Sequence, residues 1–320
     1  MLDFEALRQA IPHTVVSLDI PWPYAHSSGK VRESYGLPDG RRLLVTTDRL
    51  SAFDVVLATV PFKGQVLNQL SAFWFKHTQD IIANHLLSVP DPAISLVEEC
   101  EALPVEVIVR GYITGVTKTS LWTLYASGQR EIYGCTFPDG LKKNDLLPEP
   151  IITPTTKAGP GQHDERLTCA EVVGRGFVDA ATWDEVQGAA LAIFRRGQAV
   201  ANAAGFCLVD TKYEFGRTRD GRLMLIDEVH TPDSSRFWRA DTMASDQPDQ
   251  WDKEYVRLRY ASQGYRGDGS PPALPEDEII ETARRYIGLY EGLTSTAFVP
   301  GAAPARRRIS QALSSILEKP

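Results

Sequence analysis

Residues 207–228 constrain this chain more than any other stretch. Cys207-Leu208-Val209-Asp210-Thr211-Lys212-Tyr213-Glu214-Phe215-Gly216 is followed by Arg219-Asp220-Gly221-Arg222 and then by Leu223-Met224-Leu225-Ile226-Asp227-Glu228. Strand alternation puts Asp210, Lys212 and Glu214 on one face and Val209, Thr211, Tyr213 and Phe215 on the other. Asp-Gly is a strong hairpin signal, and with Asp220 and Gly221 as the two turn residues Glu214 stands opposite Asp227. Opposed carboxylates, about 5 Å apart, repel unless a cation lies between them. Mg²⁺, a hard ion that takes one or two carboxylates plus substrate phosphates, meets that need. Lys212, on the same face, reaches for the phosphates of a nucleotide. A solvated charged face fits the pattern too, and a longer turn would shift the register by one and move Asp227 to the other face.

Three further segments carry chemistry. Ser27-Ser28-Gly29-Lys30-Val31-Arg32-Glu33-Ser34-Tyr35-Gly36 sets small residues and two cations before a strand, so the backbone at Gly29 can approach a phosphate closely while Lys30 supplies a mobile charge. It lacks the Gly-x-x-x-x-Gly-Lys-Ser/Thr spacing of a P-loop, and an ordinary basic turn fits it as well. Arg110 closes the apolar run Val105-Glu106-Val107-Ile108-Val109, which points it into a cleft for bidentate contact with phosphate or carboxylate, or into an ion pair with an interior acid. Thr231-Pro232-Asp233-Ser234-Ser235-Arg236 follows the hairpin directly and brings hydroxyls and a second guanidinium near the carboxylates.

Charge and cysteine usage exclude several classes. The 320 residues carry a formal charge of −7, which gives no chain-wide attraction to nucleic acid or an anionic membrane, so phosphate binding must be local. The four cysteines are widely spaced with no zinc pattern and read as reduced thiols of a cytoplasmic protein. No apolar run approaches a membrane span, and the N-terminus does not resemble a secretion signal.

Elsewhere the periodicity predicts a helix in the first ten residues, β-segments around 43–47 and 54–60, a helix over 65–82, and short strands near 86–89 and 95–97. Helices are expected to begin with capping boxes at Thr168–Glu171 and Thr182–Glu185, and others to span 250–262 and 276–293. Residues 138–162 read as a long aperiodic loop, and with Thr155, Thr156, Lys157 and His163 they fit a polar lid over a water-sensitive intermediate. A domain boundary falls near Pro104.

Together Gly29-Lys30-Val31-Arg32-Glu33, the Pro104–Gly115 segment, Val209–Gly216 and Asp227–Trp238 closely resemble the phosphoribosylaminoimidazole-succinocarboxamide synthase, or SAICAR synthetase, family. The resemblance implies an α+β, two-lobed fold similar in outline to ATP-grasp enzymes and kinases, with ATP in the interlobe cleft. It implies that residues 1–103 form a β-rich nucleotide-binding lobe and 104–320 an α+β catalytic and substrate-binding lobe with C-terminal helices. It implies an ATP-dependent ligase of purine biosynthesis that joins L-aspartate to carboxyaminoimidazole ribonucleotide (CAIR) through an acyl phosphate, releasing ADP and phosphate. Carried over by motif, Gly29, Lys30, Arg32 and Lys212 contact ATP, and Lys212 and Asp210 serve catalysis. Glu214 and Asp227 hold Mg²⁺, while Arg110, Ser234, Ser235 and Arg236 bind the ribonucleotide. The expected partners are CAIR and L-aspartate, without nucleic acid or membrane, in a monomer or small homo-oligomer. Val116 stands where many members have Ser, which leaves a hydroxyl contact missing or supplied by Thr117. A small-molecule kinase would share the lobes, lysines and metal carboxylates, but it needs a base for a substrate hydroxyl, and no His-Arg-Asp-type loop is present.

Overall fold

The computed structural model describes residues 2–116, 119–157 and 164–318. Two antiparallel sheets organise an α+β fold. The first has five strands in the order His26–Ser28, Arg32–Gly36, Arg41–Thr46, Ile94–Glu98 and Leu86–Asp91. The second is seven-stranded, with Leu146–Ile152, Val105–Tyr112, Phe206–Arg217 and Leu223–Ile226 in order. Thr155–Thr156 adds to Val105–Tyr112, and Ser235–Arg239 and Glu101–Ala102 add to Phe206–Arg217.

Alternation on the two central strands separates core from cleft. Val105, Val107 and Val109 are buried against the long helix Ala180–Ala203, whose Trp183, Val186, Ala190, Ile193 and Phe194 recur at helical spacing. The intervening Glu106, Ile108 and Arg110 turn to the other face. Pairing of Asp210 with Arg110 and of Lys212 with Ile108 sets the polar row of the neighbouring strand beside them.

Several expectations are corrected by local chemistry. The hairpin closes through a three-residue loop, Arg219-Asp220-Gly221. Gly221 takes a φ of 84° and donates to the Thr218 carbonyl at 2.9 Å, while the Thr218 N–H donates to the Arg222 carbonyl. The longer loop shifts the register, so Glu214 faces Ile226 and not Asp227. Residues 138–162 are not a plain loop. Leu146–Ile152 and Thr155–Thr156 both pair with Val105–Tyr112, and Pro148 and Pro150, which cannot donate to a ladder, coincide with the slip in register that hides the strand in the sequence. Arg110 does not close its strand, which runs on to Tyr112. The capping box at Thr168 is present, but the next helix starts earlier than expected, with Asp179 accepting from the Thr182 N–H and Thr182 inside the first turn.

Pro104 lies between the sheets, yet the last helix, Ala305–Leu317, returns to the first one. Its Ile309 and Leu313 join Val15, Leu18, Tyr35, Leu43, Val45 and Ile94 in a separate core that covers one face of that sheet.

Candidate active site

Between the sheets lies a cavity of about 310 Å³, with Arg42, Leu44 and Val97 contributed by the first sheet and Glu214, Ile226 and Asp227 by the second. Leu44, Val97 and Ile226 are its apolar lining, and Glu98, Glu99, Lys157, Glu214 and Asp227 bring charge to the remaining wall. Although the register moves Asp227 out of opposition to Glu214, the side chain still reaches this cavity. The strand ends at Ile226, and Asp227 adopts a φ of 66°, a left-handed conformation that Asp tolerates better than most residues.

The charges here form a chain. Lys212 lies 3.0 Å from Glu214 and also donates to Glu106, and Lys157 donates to the other oxygen of Glu214. Burial opposes ionisation of Glu214, but Lys212 and Lys157 prevail and bring its pKa down to about 2. Burial pushes Asp227 up to about 6, a rise that Arg32 resists and that Glu214 and Glu228 reinforce. Arg32 pairs with both Asp227 and Glu228, the latter at 2.8 Å. His85 lines the same cavity, and burial, with Arg32 adding, lowers its pKa to about 3, so its ring is neutral.

Lys30 lies at the exposed edge in an ion pair with Asp54. The Gly29–Arg32 turn is closed by the Gly29 N–H donating to the Arg32 carbonyl at 2.8 Å. Sequence reasoning missed what holds this turn in place. Buried Arg49 donates to the carbonyls of Gly29 and Lys30 and pairs with Glu33 at 2.6 Å. Arg49 sits among polar neighbours, Thr46-Thr47-Asp48 before it and Ser51 after, so no local pattern singled it out.

A second cluster occupies the far end of the same strand face. Asp210 stands opposite both Arg110 and Arg236 in the sheet, pairs with Arg236 and lies 3.7 Å from Arg110. Arg110 also donates from Nε to the Thr153 hydroxyl at 2.8 Å, and Arg236 lies 3.7 Å from Glu254. Arg236 opens on a cavity of about 290 Å³ shared with Thr114, Gly115, Val116 and Lys143. The two serines are engaged within the fold. Ser235 is buried with its hydroxyl 2.7 Å from that of Thr211, and Ser234 closes the turn with Thr231. Beneath them fully buried Lys63 pairs with Asp233 at 2.7 Å, and Tyr286 donates to the same carboxylate at 2.8 Å, contacts across elements distant in sequence that no local pattern announces. Thr117, His163 and Gly159-Pro160-Gly161 lie outside the described residues.

Among the described residues no group of three or more His, Cys, Asp or Glu is arranged to hold a metal. Glu214 and Asp227 nonetheless line one cavity as hard oxygen donors and fit a hard cation that would complete its shell with phosphate oxygens. Their present counter-ions, Lys157 and Arg32, would share them with it.

Comparison with known proteins gives the same direction throughout. The SAICAR synthetase family matches residues 25–272. A phosphoribosylaminoimidazole-succinocarboxamide synthase of Legionella pneumophila (strain Paris) is 47% identical over 303 residues, covering 92% of this chain and 95% of its own. The chloroplastic enzyme of that name from Arabidopsis thaliana is 44% identical over 324 residues, covering 98% of this chain and 78% of its own. Among solved structures, the Saccharomyces cerevisiae SAICAR-synthase complexed with SAICAR superposes with a TM-score of 0.77 at 31% identity, over 90% of this chain and all of that one. The chain belongs to the SAICAR synthetase family.

Proposed function

We propose that the two ends of the cleft-facing row hold the two phosphate-bearing substrates of this ligase, ATP beside Glu214 and Asp227 and CAIR beside Arg110 and Arg236. The enzyme joins L-aspartate to CAIR at the expense of ATP, giving SAICAR, ADP and phosphate. On this reading the two sheets are the two lobes of a kinase-like or ATP-grasp-like architecture, residues 1–103 and 104–320 make the lobes, and ATP lies in the interlobe cleft. The observation that carries it is the single strand Phe206–Arg217, which presents Asp210 between two arginines and, four residues on, Glu214 between two lysines. Four residues of strand span roughly 13 Å, the scale of a phosphate chain and a neighbouring ribonucleotide.

A carboxylate is a poor electrophile, so the chemistry needs activation. The CAIR carboxylate oxygen attacks the γ-phosphorus, ADP leaves, and an acyl phosphate forms. The aspartate amine then attacks the carbonyl carbon, phosphate leaves, and the amine proton passes to solvent. Glu214 and Asp227 would hold Mg²⁺, which would supply charge neutralisation to the phosphates. Lys212 and Lys157 stand where they offset charge on the phosphoryl oxygens, with Lys30 and the Gly29–Arg32 turn at the outer phosphates. Arg110 and Arg236 grip the ribonucleotide through planar forks, and Asp210 keeps the two forks in register. Ser234 and Ser235 shape the turn that carries Arg236. Catalysis is thus mostly positioning and electrostatics.

Four free thiols and the absence, among the described residues, of any helix long and apolar enough to cross a membrane accord with the cytoplasmic setting proposed here, as a monomer or small homo-oligomer. The decisive test measures ADP release from the purified protein with ATP and Mg²⁺. Release that requires both CAIR and L-aspartate, with SAICAR formed in equal amount, is expected. Release that needs CAIR but ignores aspartate would identify a kinase instead.

A further inference from the structure

A second, narrow chamber lies beside the Asp227–Arg32 pair. Thr46, Ser71, His85 and Ser95 line it together with Arg32 and Asp227, and its volume of about 10 Å³ is that of one water molecule. Two polar atoms in this wall, Ser71 Oγ and His85 Nε2, are buried and without a hydrogen-bond partner, and both residues are 5% exposed. Each unpaired group of this kind costs about 1–3 kcal/mol, so two in one chamber call for a shared partner. Neither atom hydrogen-bonds to the neighbouring Ser95 or Asn68, which are engaged with each other at 2.8 Å and, from Asn68, with the Pro92 carbonyl.

We infer that the chamber is a built site for one water, held by His85 and Ser71 beside the Asp227–Arg32 pair, and that His85 is a positioning residue for the nucleotide-side carboxylate. The inference rests on the reading that Asp227 faces Mg²⁺ and ATP. Asp227 needs such support. It lies beyond the strand, in a left-handed conformation, so the sheet ladder does not fix its direction. His85 is tied to the same strand, because its N–H donates to the Leu225 carbonyl at 3.2 Å and the Leu225 N–H donates to the Ala83 carbonyl at 2.9 Å. The His85 backbone is therefore anchored to the strand that Asp227 follows. The ring also lines the large cavity, so it stands as the partition between this water and the nucleotide.

Groups behind a metal-binding side chain commonly change metal affinity by about 10–100-fold when removed. In His85→Leu and Ser71→Ala, the dissociation constant of Mg²⁺·ADP, measured by calorimetry without turnover, should rise about tenfold, while CAIR binding stays within about twofold. His85→Gln, which keeps a hydrogen-bonding group, should recover most of the affinity. A high-resolution crystal structure of the unaltered protein should show one ordered water in the chamber, and Ser71→Ala should lose it. If His85→Leu does not fold, Ser71→Ala decides alone. Unchanged Mg²⁺·ADP affinity in folded Ser71→Ala, equal weakening of CAIR, or an unaltered chamber lacking the water overturns the inference. Asp227→Asn separates the two levels: if it binds Mg²⁺·ADP as tightly as the unaltered protein, the placement of ATP fails, whatever His85 does.

Discussion

The two ends of the polar row on Phe206–Arg217 balance acidic against basic side chains differently. At the Glu214 end, four carboxylates, Glu106, Glu214, Asp227 and Glu228, share three cations, Arg32, Lys157 and Lys212. The shortage falls on Asp227, pushed up to about 6 by burial. At the Asp210 end, three arginines, Arg110, Arg236 and Arg257, stand against Asp210, Glu254 and the buried Asp252. Although burial opposes it, Arg236 and Arg257 hold Glu254 below the usual carboxylate range, while burial pushes Asp252 up to about 7 against the pull of Arg236. The first end is one cation short, while the second is matched in number and built of planar guanidinium forks in place of lysine ammonium groups. On the proposed placement of substrates, these local partners, not the sheet itself, distinguish the ATP end from the CAIR end.

The largest expected effect comes from breaking the carboxylate end. Glu214→Gln removes a charge that Lys212 and Lys157 both use and that a metal would need. ATP-dependent turnover should fall by at least about a hundredfold, the upper scale for groups behind a ligand, while CAIR binding persists. Steady-state kinetics at saturating Mg²⁺ together with CAIR calorimetry check this. Near-normal turnover would remove Glu214 from the nucleotide site.

The arginine end should break separately and less severely. Arg236→Lys keeps the charge but loses the planar fork, and a hydrogen bond to a charged group contributes about 1.5–3 kcal/mol. The KM for CAIR should therefore rise by at least about tenfold, with the KM for ATP unchanged. A parallel loss of ATP affinity would show that the two ends act as one network and that the contrast drawn between them is false.

A smaller change sharpens the same end. Val116, 44% exposed in the cavity beside Arg236, presents no hydroxyl there. Val116→Ser should lower the KM for CAIR a few-fold, within the roughly 0.5–1.5 kcal/mol of one neutral hydrogen bond, and should leave ATP kinetics alone. An unchanged KM would mean that the ribonucleotide does not reach Val116.

Where the sequence was legible follows from how local the chemistry is. Alternation on Phe206–Arg217 placed Asp210, Lys212 and Glu214 on one face, and the structure keeps them there, because side-chain direction in a strand depends only on neighbours. The partner of Glu214 was not legible. Whether Gly221 closes a two- or three-residue loop is decided by a few backbone hydrogen bonds, and one residue of slip flips the facing strand. Asp227 reaches the cavity anyway, through a backbone conformation that no alternation rule predicts. Leu146–Ile152 was hidden by prolines tolerated at a sheet edge. Arg49, Lys63 and His85 act through partners far along the chain, and pairings of that kind leave no periodic trace.

The smallest effect on substrate binding, none at all, is expected at the turn that joins the two ends, where the change is in stability. His230 lies between Asp227-Glu228 and Ser234–Arg236, with a φ of 46°, its Nε2 against the Tyr213 hydroxyl and its Nδ1 without a partner. Burial lowers its pKa to about 3, whereas an unfolded histidine titrates near about 6.5. As pH falls below 6.5 the unfolded chain takes up a proton that the folded ring refuses, so this contribution to stability is complete above that pH and is lost progressively down to about 3. His230→Gln keeps a polar group for Tyr213 but does not titrate. Between pH 7 and pH 5 the unaltered protein should therefore lose about 2 kcal/mol more stability than the variant, at about 1.4 kcal/mol per unit over the titrating span. His85, lowered in the same way, is present in both proteins and cancels. Urea midpoints at the two pH values measure the difference. Because His230 touches neither carboxylate nor guanidinium cluster, the ratio of ATP to CAIR affinity should stay the same in the variant at pH 7. Equal pH slopes would show that the ring accepts a proton in the folded state. A changed affinity ratio would show that the turn, and not the local partners, sets the contrast between the two ends.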